Sequence, residues 1–141
     1  MGDSMIKLTV AQLVKKYRTN DPFDIASQKS IFVFFEMLGD MLGYYNYNRR
    51  FQMIHINSEA SFEVQRFTCA HELGHAILHS HVNTPFLRKR TLYSVDRIER
   101  EANSFAVELL LPDELLLEGA TIHEAAMICG IPKEVEHLKS L

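Results

Sequence analysis

Ser61-Phe62-Glu63-Val64-Gln65-Arg66-Phe67-Thr68-Cys69-Ala70-His71-Glu72-Leu73-Gly74-His75-Ala76-Ile77-Leu78-His79 is the stretch on which the reading of this chain turns. Phe62, Val64, Phe67, Ala70, Leu73, Gly74, Ile77 and Leu78 recur at steps of three and four, the spacing of one helix face, and Ser61 stands where an N-cap hydroxyl belongs. The pattern predicts a helix from Ser61 to about His79. Glycine in a helix interior costs about 1 kcal/mol relative to alanine, so Gly74 implies that another backbone packs closely against this helix.

Within that helix, residues 71 to 75 read His-Glu-Leu-Gly-His, the H-E-x-x-H pattern. Successive residues turn by about 100°, so His71 and His75 lie on one face about 6 Å apart and can direct their imidazoles at one ion. Glu72 sits one step round the cylinder, where its carboxylate can take a proton from water at an open metal position. These residues form half of a zinc peptidase site. A catalytic zinc normally has three protein ligands, so a third donor is required. His81 has the metzincin spacing from His71, but Leu78 stands where that pattern needs glycine. His79 falls one turn beyond the ion and reads as a polar helix-end residue.

A carboxylate is the remaining kind of candidate. Ile98, Ala102, Phe105, Ala106, Leu109 and Leu110 make an apolar helical stripe that stops before Pro112, a second core helix. Glu99 falls at the edge of the stripe, with Asn103 on the same side four residues later, and Glu101 falls farther from its centre. An E-x-x-x-N pair can offer a carboxylate to a metal and an amide to the other nitrogen of a ligand histidine, fixing its tautomer. The alternative is that Glu99, Arg100, Glu101 and Glu108 form a solvated charged face, and spacing alone leaves both open.

Arg66-Phe67-Thr68-Cys69-Ala70-His71-Glu72-Leu73-Gly74-His75 followed by Leu78-His79, and then Glu99 to Pro112, resembles the ImmA/IrrE family of metallopeptidases. Members share R-F-T-x-A-H-E-L-G-H-x-x-L-H and, later, E-x-x-A-N-x-F-A-x-x-L-L-x-P. The resemblance covers roughly residues 31 to 117, and Leu111 replaces a common methionine. It implies His71, His75 and Glu99 as ligands of Zn2+, Glu72 as general base and Asn103 as the residue that holds a ligand histidine. It further implies a zinc-dependent endopeptidase whose protein substrate is a helix-turn-helix repressor of a prophage or other mobile element, and whose action derepresses that operon.

The remainder agrees with one α+β domain spanning residues 1–141. A chain of 141 residues with 47% apolar content can bury one core. A net charge of -3 argues against broad nucleic-acid binding. The absence of an 18-residue apolar run excludes a helical membrane span, and the N-terminus lacks the apolar region of a signal peptide. Ile6 stands where a myristoylation pattern needs Ser or Thr. Cys69 and Cys129 are too few for a disulfide framework, Cys69 reads as a small core residue, and the cytoplasm is the expected compartment.

Leu8 to Arg18 is predicted helical, ending before Asn20-Asp21-Pro22. Ile31 to Phe35 suits a buried strand. Gly43 to Tyr47 and Phe51 to Ile56, separated by Asn48-Arg49-Arg50, form a hairpin. The expectation is a small antiparallel three-stranded sheet packed on the metal helix, with an edge to which a substrate peptide can add. Tyr44, Tyr45, Tyr47 and Tyr93 are candidate oxyanion donors without a preference among them, and Arg88-Lys89-Arg90 reads as a solvated loop. Residues 118–141 read as a C-terminal helical hairpin, Thr121 to Pro132 resembling the first helix and turn of a helix-turn-helix. Glu134 and Glu136 in its second segment would repel phosphate, which disfavours a DNA-binding regulator. The other rival is a zinc-stabilised module that binds a repressor without cutting it.

Overall fold

The computed structural model describes residues 2–83, 92 and 96–140. Helix α1 (Asp3–Tyr17) ends where Arg18 turns left-handed, and α2 (Pro22–Gln28) begins at once. Asp21 accepts from the Phe23 amide and proline occupies the first helical position, so Asn20-Asp21-Pro22 both stops one helix and starts another. The sequence reading took only the stop.

Strand β1 (Phe32–Glu36) is followed by β2 (Gly43–Asn48) and β3 (Phe51–Asn57). The hairpin is present, β2 pairing antiparallel with β3 through Tyr45 and Ile54. Its turn is made by Arg49 and Arg50, both at positive φ (51° and 71°), the twist a two-residue hairpin loop requires. The sheet order is β1-β3-β2, and β1 pairs with β3 in parallel, Phe34 opposite His55. The expectation of a wholly antiparallel sheet is therefore corrected. Residues 37–42 carry the chain past one strand position, leaving a gap between β1 and β2 that the returning β3 fills, and a strand in that gap runs with β1 if it runs against β2. One face of the sheet, with Tyr45, Ile54 and Ile56 fully buried, packs on α3. The other carries Phe32, Phe34 and Phe51, all exposed.

Helix α3 (Phe62–Leu78) starts at Ser61, whose hydroxyl accepts from the Val64 amide. Helix α4 (Arg97–Leu110) stops before Pro112 and packs against α3, α1 and the terminal segment. Enclosed on several sides, it buries Glu99, Glu101 and Glu108 along with its apolar stripe, which decides against the alternative of a solvated charged face; Arg100 alone of that group is exposed. A Cβ on Gly74 would lie 3.1 Å from Cβ, Cγ and Cδ1 of Phe105 in α4. The close neighbour expected at Gly74 is thus an aromatic side chain rather than a backbone.

Helices α5 (Asp113–Leu117) and α6 (Ile122–Cys129) complete the helical part, α6 opening on a reciprocal cap between Thr121 and Glu124. After Gly130 at φ 72°, residues Lys133–Leu138 form a 3-10 helix with Val135 buried. Lys139 is buried too, its Nζ donating to Glu108 (2.8 Å) and Asp113 (2.6 Å), so this charge serves the interior instead of a solvent-facing surface. The main apolar cluster runs from Ile6 to Val135. Among the described residues no helix is long and apolar enough to cross a membrane.

Candidate metal centre

Helices α3 and α4 meet at the H-E-x-x-H motif. Position 70 through 75 of α3 is fully buried, because the face opposite the sheet is covered by α4. Ligand-type atoms of His71, Glu72 and His75 lie within 4.8 Å of one another. Glu99, reaching across from the first turn of α4, sets Oε1 3.1 Å from His71 Nε2 and Oε2 3.1 Å from His75 Nε2. One carboxylate therefore faces both imidazoles. One turn along α4, Asn103 Oδ1 lies 2.8 Å from His71 Nδ1 and accepts its hydrogen. That assignment leaves the lone pair of His71 on Nε2, toward Glu99.

Several of these buried atoms have no hydrogen-bond partner among the described residues: both oxygens of Glu72, Nε2 of His75 and Oε2 of Glu99. The last two are close but not aligned as donor and acceptor. Buried polar atoms are nearly always paired, since an orphan costs about 1 to 3 kcal/mol. A convergent set of imidazole nitrogens and carboxylate oxygens, unpartnered by protein, has the donor chemistry of a borderline divalent cation such as zinc. The residues fit the metal.

The electrostatics separate the two carboxylates. Burial pushes the Glu72 carboxyl up to about 8, His71 drawing it down and Glu99 raising it further. Burial acts on Glu99 in the same direction, but the close approach and charge of His71 and His75 outweigh it and hold Glu99 at about 2. His75 is lowered to about 4, chiefly by burial. Burial lowers His71 as well, yet contact with Glu99 and the charges of Glu72 and Glu99 leave it raised overall.

Other residues singled out in the sequence fall elsewhere. His81 packs edge-on against Tyr47, with 4.9 Å between ring centroids, outside the His71–Glu72–His75 group. His79 is the C-cap of α3, and its ring lies beside His75, Nδ1 to Nδ1 3.0 Å, with Nε2 2.8 Å from Glu101 Oε1. Tyr45 donates to the Ser80 carbonyl and Tyr44 stacks on His55 at 4.1 Å, so both are engaged in packing. Tyr93 and Arg88-Lys89-Arg90 lie outside the described residues. Cys69 is buried in the core, where burial pushes its thiol well up.

Sequence reasoning missed Gly43. A Cβ there would stand 2.4 Å from the His55 carbonyl oxygen and 2.6 Å from Thr68 Cγ2, so glycine lets β2 close against both β3 and α3 beside the motif. Its only sequence signal was a glycine at the start of a strand, which marks close approach as readily as a turn.

Comparison with known proteins gives this geometry a lineage. Residues 26–123 match the family model for the IrrE N-terminal-like domain, Peptidase M78. The chain is 44% identical to immunity region protein 2 of Bacillus phage phi105, over 98% of this chain and 90% of that protein. It is 30% identical to metallopeptidase ImmA of Bacillus subtilis strain 168, over 95% of this chain and 83% of that protein. The chain belongs to the ImmA/IrrE family of metallopeptidases.

Proposed function

We propose that the protein is a zinc-dependent endopeptidase that cleaves a helix-turn-helix repressor and so derepresses a prophage or mobile-element operon. The observation that carries this reading is the convergence of His71, His75 and Glu99 in the interior, with His75 Nε2, Glu99 Oε2 and both oxygens of Glu72 lacking hydrogen-bond partners among the described residues. The names of the two relatives, one from a phage immunity region and one a metallopeptidase, support the substrate class.

In this reading His71 Nε2, His75 Nε2 and a Glu99 oxygen hold the zinc. Glu99 rather than Glu72 is the third ligand because it faces both histidines and is held ionised, whereas Glu72 pairs with neither. When bound, zinc supplies Lewis-acid polarisation of the scissile carbonyl and lowers the pKa of water. Glu72 accepts the proton of the attacking water at a carboxylate oxygen and delivers it to the departing amide nitrogen. Its full burial excludes bulk water from that proton. Asn103 holds His71 in the tautomer that binds. Among the described residues β2 is an edge strand packed on α3, and an extended substrate segment adding beside it would displace Asn83, whose Oδ1 accepts from the Tyr47 amide at 2.9 Å. Residues 1–141 act as one domain, supported by the continuous apolar cluster from Ile6 to Val135, and the reaction takes place in a reducing cytoplasm, supported by the free cysteines Cys69 and Cys129.

The test is metal content by plasma mass spectrometry on wild type and Glu99→Ala, followed by incubation of the zinc-loaded protein with the repressor encoded beside it. Near one zinc per wild-type chain, little in the variant, and a cut repressor that Glu72→Gln leaves intact are expected. An intact repressor whose operon is nevertheless induced would replace cleavage with sequestration.

A further inference from the structure

Asn103 gives His71 a fixed hydrogen-bond partner on the side away from Glu99. His75 needs an equivalent, and α3 supplies it at its own end. The chain leaves helical geometry at His79 (φ -134°, ψ 46°) while its amide still donates to the His75 carbonyl at 2.7 Å, and the imidazole comes to rest beside that of His75. The rings are 5.1 Å apart at their centroids, tilted by 52°, with Nδ1 to Nδ1 3.0 Å. On its far side His79 Nε2 meets Glu101 Oε1 at 2.8 Å, and the side chains of His79 and Glu101 are only 9% and 10% exposed. Arg97 Nε reaches the other oxygen of Glu101 at 3.5 Å.

The order of hydrogens along this line follows from what each group can do. A carboxylate only accepts, so the hydrogen between Glu101 and His79 belongs to His79 Nε2. A neutral imidazole with hydrogen on Nε2 has its lone pair on Nδ1, and that lone pair can face only a donor, the Nδ1–H of His75. The lone pair of His75 then lies on Nε2. That is the buried atom left without a hydrogen-bond partner, 3.1 Å from Glu99 Oε2. The opposite order would place hydrogen on His75 Nε2, pointing into the cluster and unable to bind a cation.

We propose that His79 and Glu101 form a positioning relay that fixes His75 as a metal ligand, matching what Asn103 does for His71. The proposal rests on the reading of His71, His75 and Glu99 as a metal site. It assigns a task to two residues that the spacing argument left as a helix-end residue and a surface charge. It also accounts for the burial of Glu101 on α4, two residues from Glu99.

The experiment measures zinc affinity of the full chain by chelator competition, together with the His75 tautomer by 15N NMR of the metal-free protein. His79→Ala and Glu101→Ala should each weaken zinc binding about 10- to 100-fold, the scale seen when an outer hydrogen-bond partner of a ligand is lost. The double variant should be no weaker than either single one, because a broken line is broken once. Glu101→Gln, which keeps an acceptor oxygen, should recover most of the affinity. Metal-free wild type should show hydrogen on His75 Nδ1, and His79→Ala a mixture of tautomers. Unchanged affinity, additive losses, no recovery by Glu101→Gln, or a His75 tautomer indifferent to His79 would each overturn the relay. Wild type that binds no zinc would overturn the proposed function instead, and the metal-free tautomers would still decide for or against the relay.

Discussion

Glu72 should make the metal-free protein lose stability as pH rises. Its carboxyl is raised from 4.5 to about 8 in the folded protein, chiefly by burial. Between those values the unfolded chain releases this proton and the folded one keeps it. Folded protein then binds more protons than unfolded, and the stability contributed below pH 4.5 drains away until the folded group also ionises near 8. The slope is about 1.4 kcal/mol per pH unit, which amounts to about 3 kcal/mol by pH 7. Glu72→Gln removes the titration and keeps the shape. His75, lowered to about 4, and Glu99, lowered to about 2, act with the opposite sign, stabilising as pH rises from 4 to 6.5 and from 2 to 4.5. Both are present in variant and wild type and largely cancel on subtraction, whereas His71, raised in part by the charge of Glu72, is raised less in the variant and adds in the variant's favour. The assay is urea unfolding in chelator at intervals from pH 4.5 to 8, and the difference between the two proteins should grow by about 3 kcal/mol up to pH 7 in favour of the variant. A constant difference would refute the reasoning. Saturating zinc should shrink it, since a nearby dication favours the ionised carboxylate.

Gly43→Ala should destabilise the fold by at least about 2 kcal/mol, because the new carbon meets the rigid His55 carbonyl at 2.4 Å and overpacking of this kind is poorly relieved; a melting temperature equal to wild type would contradict the geometry. Lys139→Ala removes the 2.8 Å partner of buried Glu108, leaving it Lys7 at 3.9 Å and the Ser140 amide and hydroxyl among the described residues, and should cost about 1 to 3 kcal/mol in denaturant unfolding at neutral pH. Asn103→Ala should weaken zinc binding about 10- to 100-fold by chelator competition, and an unchanged affinity would make Asn103 a packing residue.

The helices of the site were legible because each carries its own local signals. Ser61 and the spacing of Phe67, Ala70 and Leu73 mark α3, and Pro112 marks the end of α4. Both histidines could be paired from spacing because they sit on one helix. Glu99 could not, since its meeting with them depends on how two helices cross; spacing set it and Asn103 apart from Glu101, and the family resemblance made it a ligand. The strand direction of β1 was illegible for a related reason: a parallel or antiparallel partner leaves the same alternation in Phe32 to Glu36, and the order β1-β3-β2 is decided by where residues 37–42 travel. Helix α2 was lost because a stop signal hid the start signal written in the same three residues. His79 does end its helix, but its contact with Glu101 was illegible because it exists only between helices.

What holds the cluster open to a cation is the same packing that makes it expensive without one. The contact of Phe105 against Gly74 brings α4 close enough for Glu99 to face both histidines. That approach also removes water from Glu72, His75 and Glu99, leaving polar atoms that the protein itself does not satisfy. A chain selected for stability alone would replace Glu72 by an apolar residue of similar size, because nothing among the described residues hydrogen-bonds to it. Hydrogen-bond partners are supplied instead to the outer nitrogens, Asn103 for His71 and His79 for His75, while both inner nitrogens face the Glu99 carboxylate, His75 Nε2 without a hydrogen-bond partner. A merely structural histidine cluster would satisfy both nitrogens. Satisfying the outer ones and exposing the inner ones to a shared centre is the arrangement expected when the missing partner is a metal.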